Sequence, residues 1–343
     1  MSNCVTPARA ASFTPPLSVL DTPFIAADVG GTNARLGLVR CARDGAVDVL
    51  GYREYACSDY PDLAAVLRQA AQDLAAGQVQ RAAVAIAAVQ KGDALIAVNL
   101  PWPQISVSAT QREAGLDDIA FTNDFAALAH AAPYVDLASA QLLSGQPVDI
   151  RESRTLVLGP GTGFGTALRL PTHPHATVIA SESGHGSFAP GNEREIAVLR
   201  WLLKRAPHAD REHAIAGPGL LNVYLCLCEI DGVAPRFSMP AEITQAALAA
   251  TDPQARTALT MFCEMLGSLV GDLVLGCNAQ AVFLAGGIPA RIREFLPQTD
   301  FVARYLNKGL LRAALESVPI WLIEHGQLGV IGAAAWYRDR CSE

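Results

Sequence analysis

Lysine is nearly absent from this 343-residue chain: only Lys91, Lys204 and Lys308 occur, and arginine supplies the rest of the 26 basic residues. None of the three stands in a G-x-x-x-x-G-K-[ST] arrangement, so a P-loop is excluded as the means of holding phosphate. The formal net charge of −7 leaves no basic surface of the kind a nucleic-acid binder needs. No apolar run reaches the ~20 residues that a bilayer-spanning helix requires, so no membrane partner is expected. Residues 1–23 are rich in Pro, Ser and Ala, lack an apolar h-region, and read as a flexible arm rather than a secretory signal. Eight cysteines are too few and too scattered for a disulfide scaffold. Cys226-Leu-Cys228 has no second pair to complete a zinc site, and buried thiols in a reducing cytoplasm are the expectation.

Apolar residues are plentiful: 51% hydrophobic against 17% charged is enough for large cores. The length fits two domains at roughly 100–200 residues each. Short apolar runs bounded by turn residues predict strands at Phe24–Val29, Arg35–Val39 and Asp48–Ala56. A helix follows at Asp62–Ala76, with Leu63, Val66, Leu67 and Ala70 on one face. Strands at Arg81–Ala87 and Asp117–Thr122 flank a helix near Thr110–Ala114. The pattern then restarts with strands at Thr155–Gly159, Gly165–Leu170 and Thr177–Ala180. Helices are expected at Glu193–Arg205, Gly219–Glu229, Glu242–Ala250 and from Pro253 to Leu275. Strands at Ala281–Ala285 and Pro319–Glu324 and a helix at Gly329–Arg340 complete the reading. A β-rich opening with an α/β continuation, occurring twice, predicts two related α/β domains, the second enlarged by helices.

The two halves share a glycine turn. ADVGGTNARLGLV places Gly30, Gly31, Thr32 and Asn33 between strands, and LVLGPGTGFGTALRL does the same with Gly159, Gly161, Thr162 and Gly163. Glycine lets backbone amides approach a ligand closely. Successive N–H groups in such a turn form a concave anion site. Each turn taken alone also reads as a tight hairpin; their pairing points to a polyphosphate gripped from two sides. VFLAGGIPAR ends a strand at Gly286-Gly287, where small residues would let an adenine lie against the backbone. Asp28, beside the first turn, is either an Asx-turn residue or a carboxylate holding Mg²⁺ through water.

FTNDFAALAHAAP raises a second pair of readings for Asp124: N-cap of the following helix, or a group that does chemistry. SESGHGSFAP puts Glu182 and His185 in a loop after a strand, a donor and acceptor set that suits a polyhydroxylated ligand. REHAIAGPG adds Glu212 before a Gly-Pro-Gly helix start.

Taken in order, DVGGTNARL, FTNDFAA, GPGTGFG, ESGH with FAP, the stretch Glu212–Tyr224 and FLAGGI-x-x-R resemble bacterial glucokinases of the hexokinase superfamily, from about residue 24 to the C-terminus. The resemblance implies the actin-like (RNase H-like) fold: two α/β domains around a central cleft. The expected division is 24–134 plus 325–343 for the smaller domain and 135–324 for the larger. It implies Asp124 as catalytic base, with Asn123, Glu182, His185 and Glu212 on the sugar, Glu182 and His185 being the pair at the hydroxyls near the anomeric end. Asp28 to Asn33 and Gly159 to Gly165 would hold the phosphates, and Gly286-Gly287 the adenosine. The implied activity is transfer of the γ-phosphoryl group of ATP, with Mg²⁺, to the 6-hydroxyl of glucose, in a cytoplasmic homodimer without structural zinc. A kinase for fructose or mannose, or a non-catalytic sugar sensor, are the alternatives.

Overall fold

The run FIAADV carries one charge, and all six residues are buried in the computed structural model of the chain, as expected of a strand covered on both faces. The structure describes residues 22–342 apart from 43–44, 76–78, 98–99 and 103, so the expected N-terminal arm lies almost wholly outside the described residues. This first strand, β1 (Phe24–Val29), pairs antiparallel with β2 (Asn33–Cys41), and β2 with β3 (Val47–Ala56). In α1 (Leu63–Ala75) the stripe Leu63, Val66, Leu67 and Ala70 is buried as its spacing requires. Asp62 starts that helix by accepting the Ala65 N–H at 2.7 Å.

The fully buried β4 (Arg81–Ile86) lies parallel to β1. The chain then makes a separate antiparallel sheet of β5 (Ala88–Lys91), β6 (Ala94–Ala97) and β7 (Gln104–Ser106), which the sequence reading did not anticipate. The helix α2 (Val107–Ala114) begins at Val107 rather than near Thr110, because the Ser106 hydroxyl accepts the Ala109 N–H at 3.1 Å. β8 (Asp118–Thr122) completes the first sheet in the order β3-β2-β1-β4-β8 and runs directly into α3 (Asp124–Ala131).

The second half opens on an unanticipated short strand, β9 (Gln141–Ser144). The antiparallel trio β10 (Thr155–Pro160), β11 (Phe164–Leu170) and β12 (Thr177–Ser181) follows. Helices α4 (Glu193–Leu203), α5 (Glu212–Ile215), α6 (Gly217–Asp231), α7 (Pro240–Leu248) and α8 (Pro253–Cys277) form the expected helical enlargement. β13 (Ala281–Leu284) lies parallel to β10. After α9 (Gly287–Arg291), α10 (Phe301–Leu306) and α11 (Arg312–Glu316), β14 (Ile320–Leu322) adds parallel to β13, with β9 antiparallel at the edge. The order is β12-β11-β10-β13-β14-β9, whose first four places repeat the first sheet's third, second, first and fourth strands. The chain closes on α12 (Leu328–Ser342).

Helix α8 is long and apolar enough by composition to cross a membrane, although Arg256, Glu264 and Asp272 interrupt its apolar run. It is a core helix, with 72% of its most apolar window buried. Asp252 caps its start by accepting the Ala255 N–H at 2.8 Å, and Asn278 ends it in the left-handed conformation.

Helix α3 joins the two halves. Its Ala127 packs with Val330, Ala333 and Ala334 of α12 and with Phe24 and Ala26 of β1. Its Leu128 and Ala129 face Val157, Ala167, Phe283 and Trp321 of the second sheet. The α12 contact is close enough that a Cβ on Gly332 would lie 1.9 Å from the Ala127 carbonyl oxygen. Both sheets therefore fix the direction in which the N-terminus of α3 points.

Candidate active site

At that N-terminus the structure separates the two readings of the Asn-Asp pair. Asn123 has extended backbone and is the cap: its Oδ1 accepts the Ala126 N–H at 3.0 Å. Asp124 is the first helical residue, so the expectation that it caps α3 is corrected. Its Oδ1 accepts the Phe125 N–H at 2.9 Å, leaving Oδ2 without a partner inside the helix. Burial pushes the Asp124 carboxyl up to about 6, the Phe125 N–H opposing it, the Asp28 charge raising it further and His325 lowering it.

Asp28 is buried on β1 and lies 3.6 Å from Arg35 and 3.2 Å from His325. Both approaches are to its Oδ2. Burial pulls the His325 imidazole down, but the Asp28 carboxylate outweighs it and leaves that ring above its ordinary value. The first turn of α12 covers this acid closely, since a Cβ on Gly329 would meet Asp28 Cγ at 2.5 Å. The adjoining turn is held by the Gly30 N–H on Asn33 O (3.0 Å) and the Cys57 N–H on Thr32 O (2.8 Å), with Gly31 and Thr32 exposed.

The second turn is anchored from three sides. A Cβ on Gly159 would lie 1.8 Å from Ala285 O, which is why the end of β13 can lie against it. Gly286, at φ +102°, adopts a conformation open to glycine and approaches Pro160 O. The Gly217 N–H of α6 donates to Gly161 O at 2.8 Å. Gly161 and Gly287 face open space, and Thr162 is exposed. Gly159, Gly161, Thr162, Gly163, Gly286 and Gly287 thus belong to one surface.

Glu212, in the first turn of α5, ties this turn to the polar loop. Its Oε1 accepts the Phe164 N–H at 2.6 Å, and its carboxyl lies against both Gly163 and Gly184, where Cβ atoms would meet it at 2.8 and 2.9 Å. Glu182 and His185 are exposed in the loop that follows β12. Phe125, the residue after Asp124, completes the link: a Cβ on Gly165 would lie 1.8 Å from its ring. Asp124, the second turn, Glu212 and the Glu182–His185 loop are therefore joined by direct packing.

Three further groups belong to this region and were not singled out from sequence. Arg35 and His325 flank Asp28, and buried Asp210 contacts His185. Asp210 had a local signal, since Asp three residues before His213 at a helix start is a capping pattern. His325 had none, because it meets Asp28 only through the fold.

Comparison with known proteins gives a consistent picture. The family model described as Glucokinase matches residues 25–340. A glucokinase-like protein of Xylella fastidiosa is 41% identical over 92% of this chain and 95% of its own length. A glucokinase of Stenotrophomonas maltophilia is 34% identical over 94% and 97%. Among solved structures, a glucokinase from an Antarctic psychrotroph is similar at a TM-score of 0.81 and 31% identity, covering 92% of this chain and 99% of that one. With the repeated sheet order, that likeness gives the actin-like fold of two α/β domains about a cleft.

Proposed function

The chain belongs to the glucokinase family, and from that membership we propose how its residues divide the transfer of phosphate from ATP to glucose. It is an ATP-dependent hexose kinase, forming glucose 6-phosphate and ADP. Asp124 is the proposed general base. The bond from the glucose 6-oxygen to the γ-phosphorus forms as the bond from that phosphorus to the β-bridging oxygen breaks. The hydroxyl proton passes to Asp124 Oδ2, the oxygen that the Phe125 N–H leaves free. A carboxyl poised near 6 is ionised at neutral pH yet basic enough to take that proton.

Kinase catalysis is chiefly positioning and charge stabilisation. Asn123, Glu182, His185 and Glu212 hold the ring; Asn123 Oδ1 already accepts the cap hydrogen bond, and its Nδ2 is the group offered to a sugar hydroxyl. The turns Gly30 to Asn33 and Gly159 to Gly163 receive the phosphates through the amides and hydroxyls not already engaged within them, since the Gly30 N–H is on Asn33 O and the Gly161 N–H on Gly163 O. Gly286-Gly287 receives the adenosine. Asp28 is the buried carboxylate beside the first turn and would hold Mg²⁺ through water, its Oδ2 also facing His325 Nε2 at 3.2 Å and Arg35 at 3.6 Å. When bound, that cation neutralises charge developing on the transferred group. We propose a cytoplasmic homodimer divided at 24–134 plus 325–343 and 135–324. The described cysteines, all free thiols, suit a reducing compartment.

The observation that carries this reading is the packing of Phe125 on Gly165, which joins the base to the sugar-binding side. The test is ADP release with ATP, Mg²⁺ and a panel of hexoses. Glucose is expected to give the highest kcat/KM; a preference for fructose or mannose, or ADP release that ignores sugar, contradicts it.

A further inference from the structure

Asp210 is buried yet has no part in the division of labour above. Its Oδ1 lies 2.6 Å from His213 Nδ1, a separation that calls for a proton between the two atoms, and the Asp210 backbone N–H lies 3.3 Å from the same nitrogen. The His213 backbone N–H donates to the same oxygen at 3.0 Å. Oδ1 is thereby taken, and Oδ2 is left for His185, whose Nδ1 lies 3.4 Å away.

The backbone keeps this pairing in place. Ser187 and Asp210 form an isolated antiparallel bridge. The Phe188 N–H donates to Ala209 O and the Arg211 N–H to Gly186 O, each at 2.9 Å. The Arg211 guanidinium donates to Ser183 O at 2.9 Å, and His208 Nε2 lies 3.3 Å from His185 O. The strip from His208 to Arg211 therefore holds the whole polar loop, and its next residue, Glu212, reaches Phe164. Meanwhile 61% of the His185 side chain stays exposed.

We propose that Asp210 is a positioning residue for sugar recognition, holding His185 by Nδ1 so that Nε2 meets a hydroxyl at the anomeric end of the hexose. The inference rests on the kinase reading above and adds the group that orients its histidine. With Nδ1–H committed to the carboxylate, Nε2 accepts from the sugar when the ring is neutral and donates when it is charged. The Asp210 hydrogen bond holds His185 above its ordinary value; burial opposes it, and the Glu212, Asp210 and Glu182 charges add to it. His208 at the loop carbonyl and Arg211 beneath the loop are the other ionisable groups nearby, and His213 is engaged on the far oxygen.

The experiment compares wild-type enzyme with Asp210→Asn on glucose and on 1,5-anhydroglucitol, which lacks the anomeric hydroxyl. For glucose, the variant is expected to raise KM about tenfold, the size of one lost charge-assisted hydrogen bond. KM for ATP and kcat should stay within about threefold, a difference too small to represent one such bond. For 1,5-anhydroglucitol the two enzymes should share one KM. Asp210→Glu, which keeps the carboxylate, should recover part of the loss. A second measurement stands independent of the variant's folding: the wild-type His185 ring, assigned by the NMR signal missing from His185→Gln, should titrate above free histidine. An unchanged KM, an equal rise for both sugars, or a His185 titration at or below the free value overturns the proposal. Absence of sugar-dependent turnover in the wild type overturns the kinase reading and this inference together, whereas normal wild-type turnover with an indifferent Asp210→Asn overturns this inference alone.

Discussion

The hairpins β1–β2 and β10–β11 are one device built twice, antiparallel and turned by glycines, each with its first strand parallel to a buried neighbour. The pair of residues one step back from the turn differs completely. In the first hairpin it is Asp28 opposite Arg35, and in the second Gly159 opposite Gly165. Charges at that place give the first hairpin its electrostatic reach: Asp28 meets His325 and Arg35 and lifts the Asp124 carboxyl. Glycines there let the second hairpin be approached, by Ala285 O on one side and the Phe125 ring on the other. The same topology thus supplies electrostatics in one domain and close assembly in the other.

The contrast is most easily broken through Asp124. Asp124→Asn is expected to lower kcat about 10²–10⁴-fold with glucose affinity retained, read by a coupled assay and calorimetry. In the wild type, kcat should rise with pH through about 6 as the base ionises. The stability sign is opposite. A folded carboxyl raised from 3.8 to about 6 binds its proton where the unfolded chain has lost it, so its contribution falls as pH rises through that window. Chemical denaturation at pH 4 and pH 7 on wild type and Asp124→Asn checks this, the variant losing that part of the pH dependence.

Gly165→Ala comes next. The new methyl must displace Phe125, at a cost of about 1–3 kcal/mol of stability by thermal melting. Phe125→Leu in the same chain should return part of it. Glu212→Gln should mainly raise KM for glucose, by about tenfold, while KM for ATP holds. An effect on ATP alone would transfer Glu212 to the other side of the contrast. Gly161→Ala should be nearly silent in melting, because nothing lies within 4 Å of its added carbon. A large loss there would show that the turn is under constraints other than space.

Much of this was legible in the sequence. Buried parallel strands read as continuous apolar runs, which is why β1, β4 and β10 were visible. The small sheet β5–β6–β7 was not, since Val89, Gln90, Lys91 and Ile96 are exposed and no strand in it exceeds four residues. Strand β9 is equally short and earns its place only by pairing with β14. Asn123 and Asp124 are both good caps, and which one takes the role depends on where α3 is pinned by two sheets. Asp210 and His325 acquire partners far along the chain, His185 and Asp28, and no local pattern encodes such meetings.

The central claim is that Asp124 and the sugar-binding groups face one bound hexose. A crystal structure with glucose measures this directly. The account expects the 6-hydroxyl oxygen within about 2.6–3.2 Å of the Asp124 carboxylate, the reach a general base needs, with Glu182, His185 and Glu212 on the remaining hydroxyls. Glucose held elsewhere, or with its 6-hydroxyl turned away from Asp124, would contradict it.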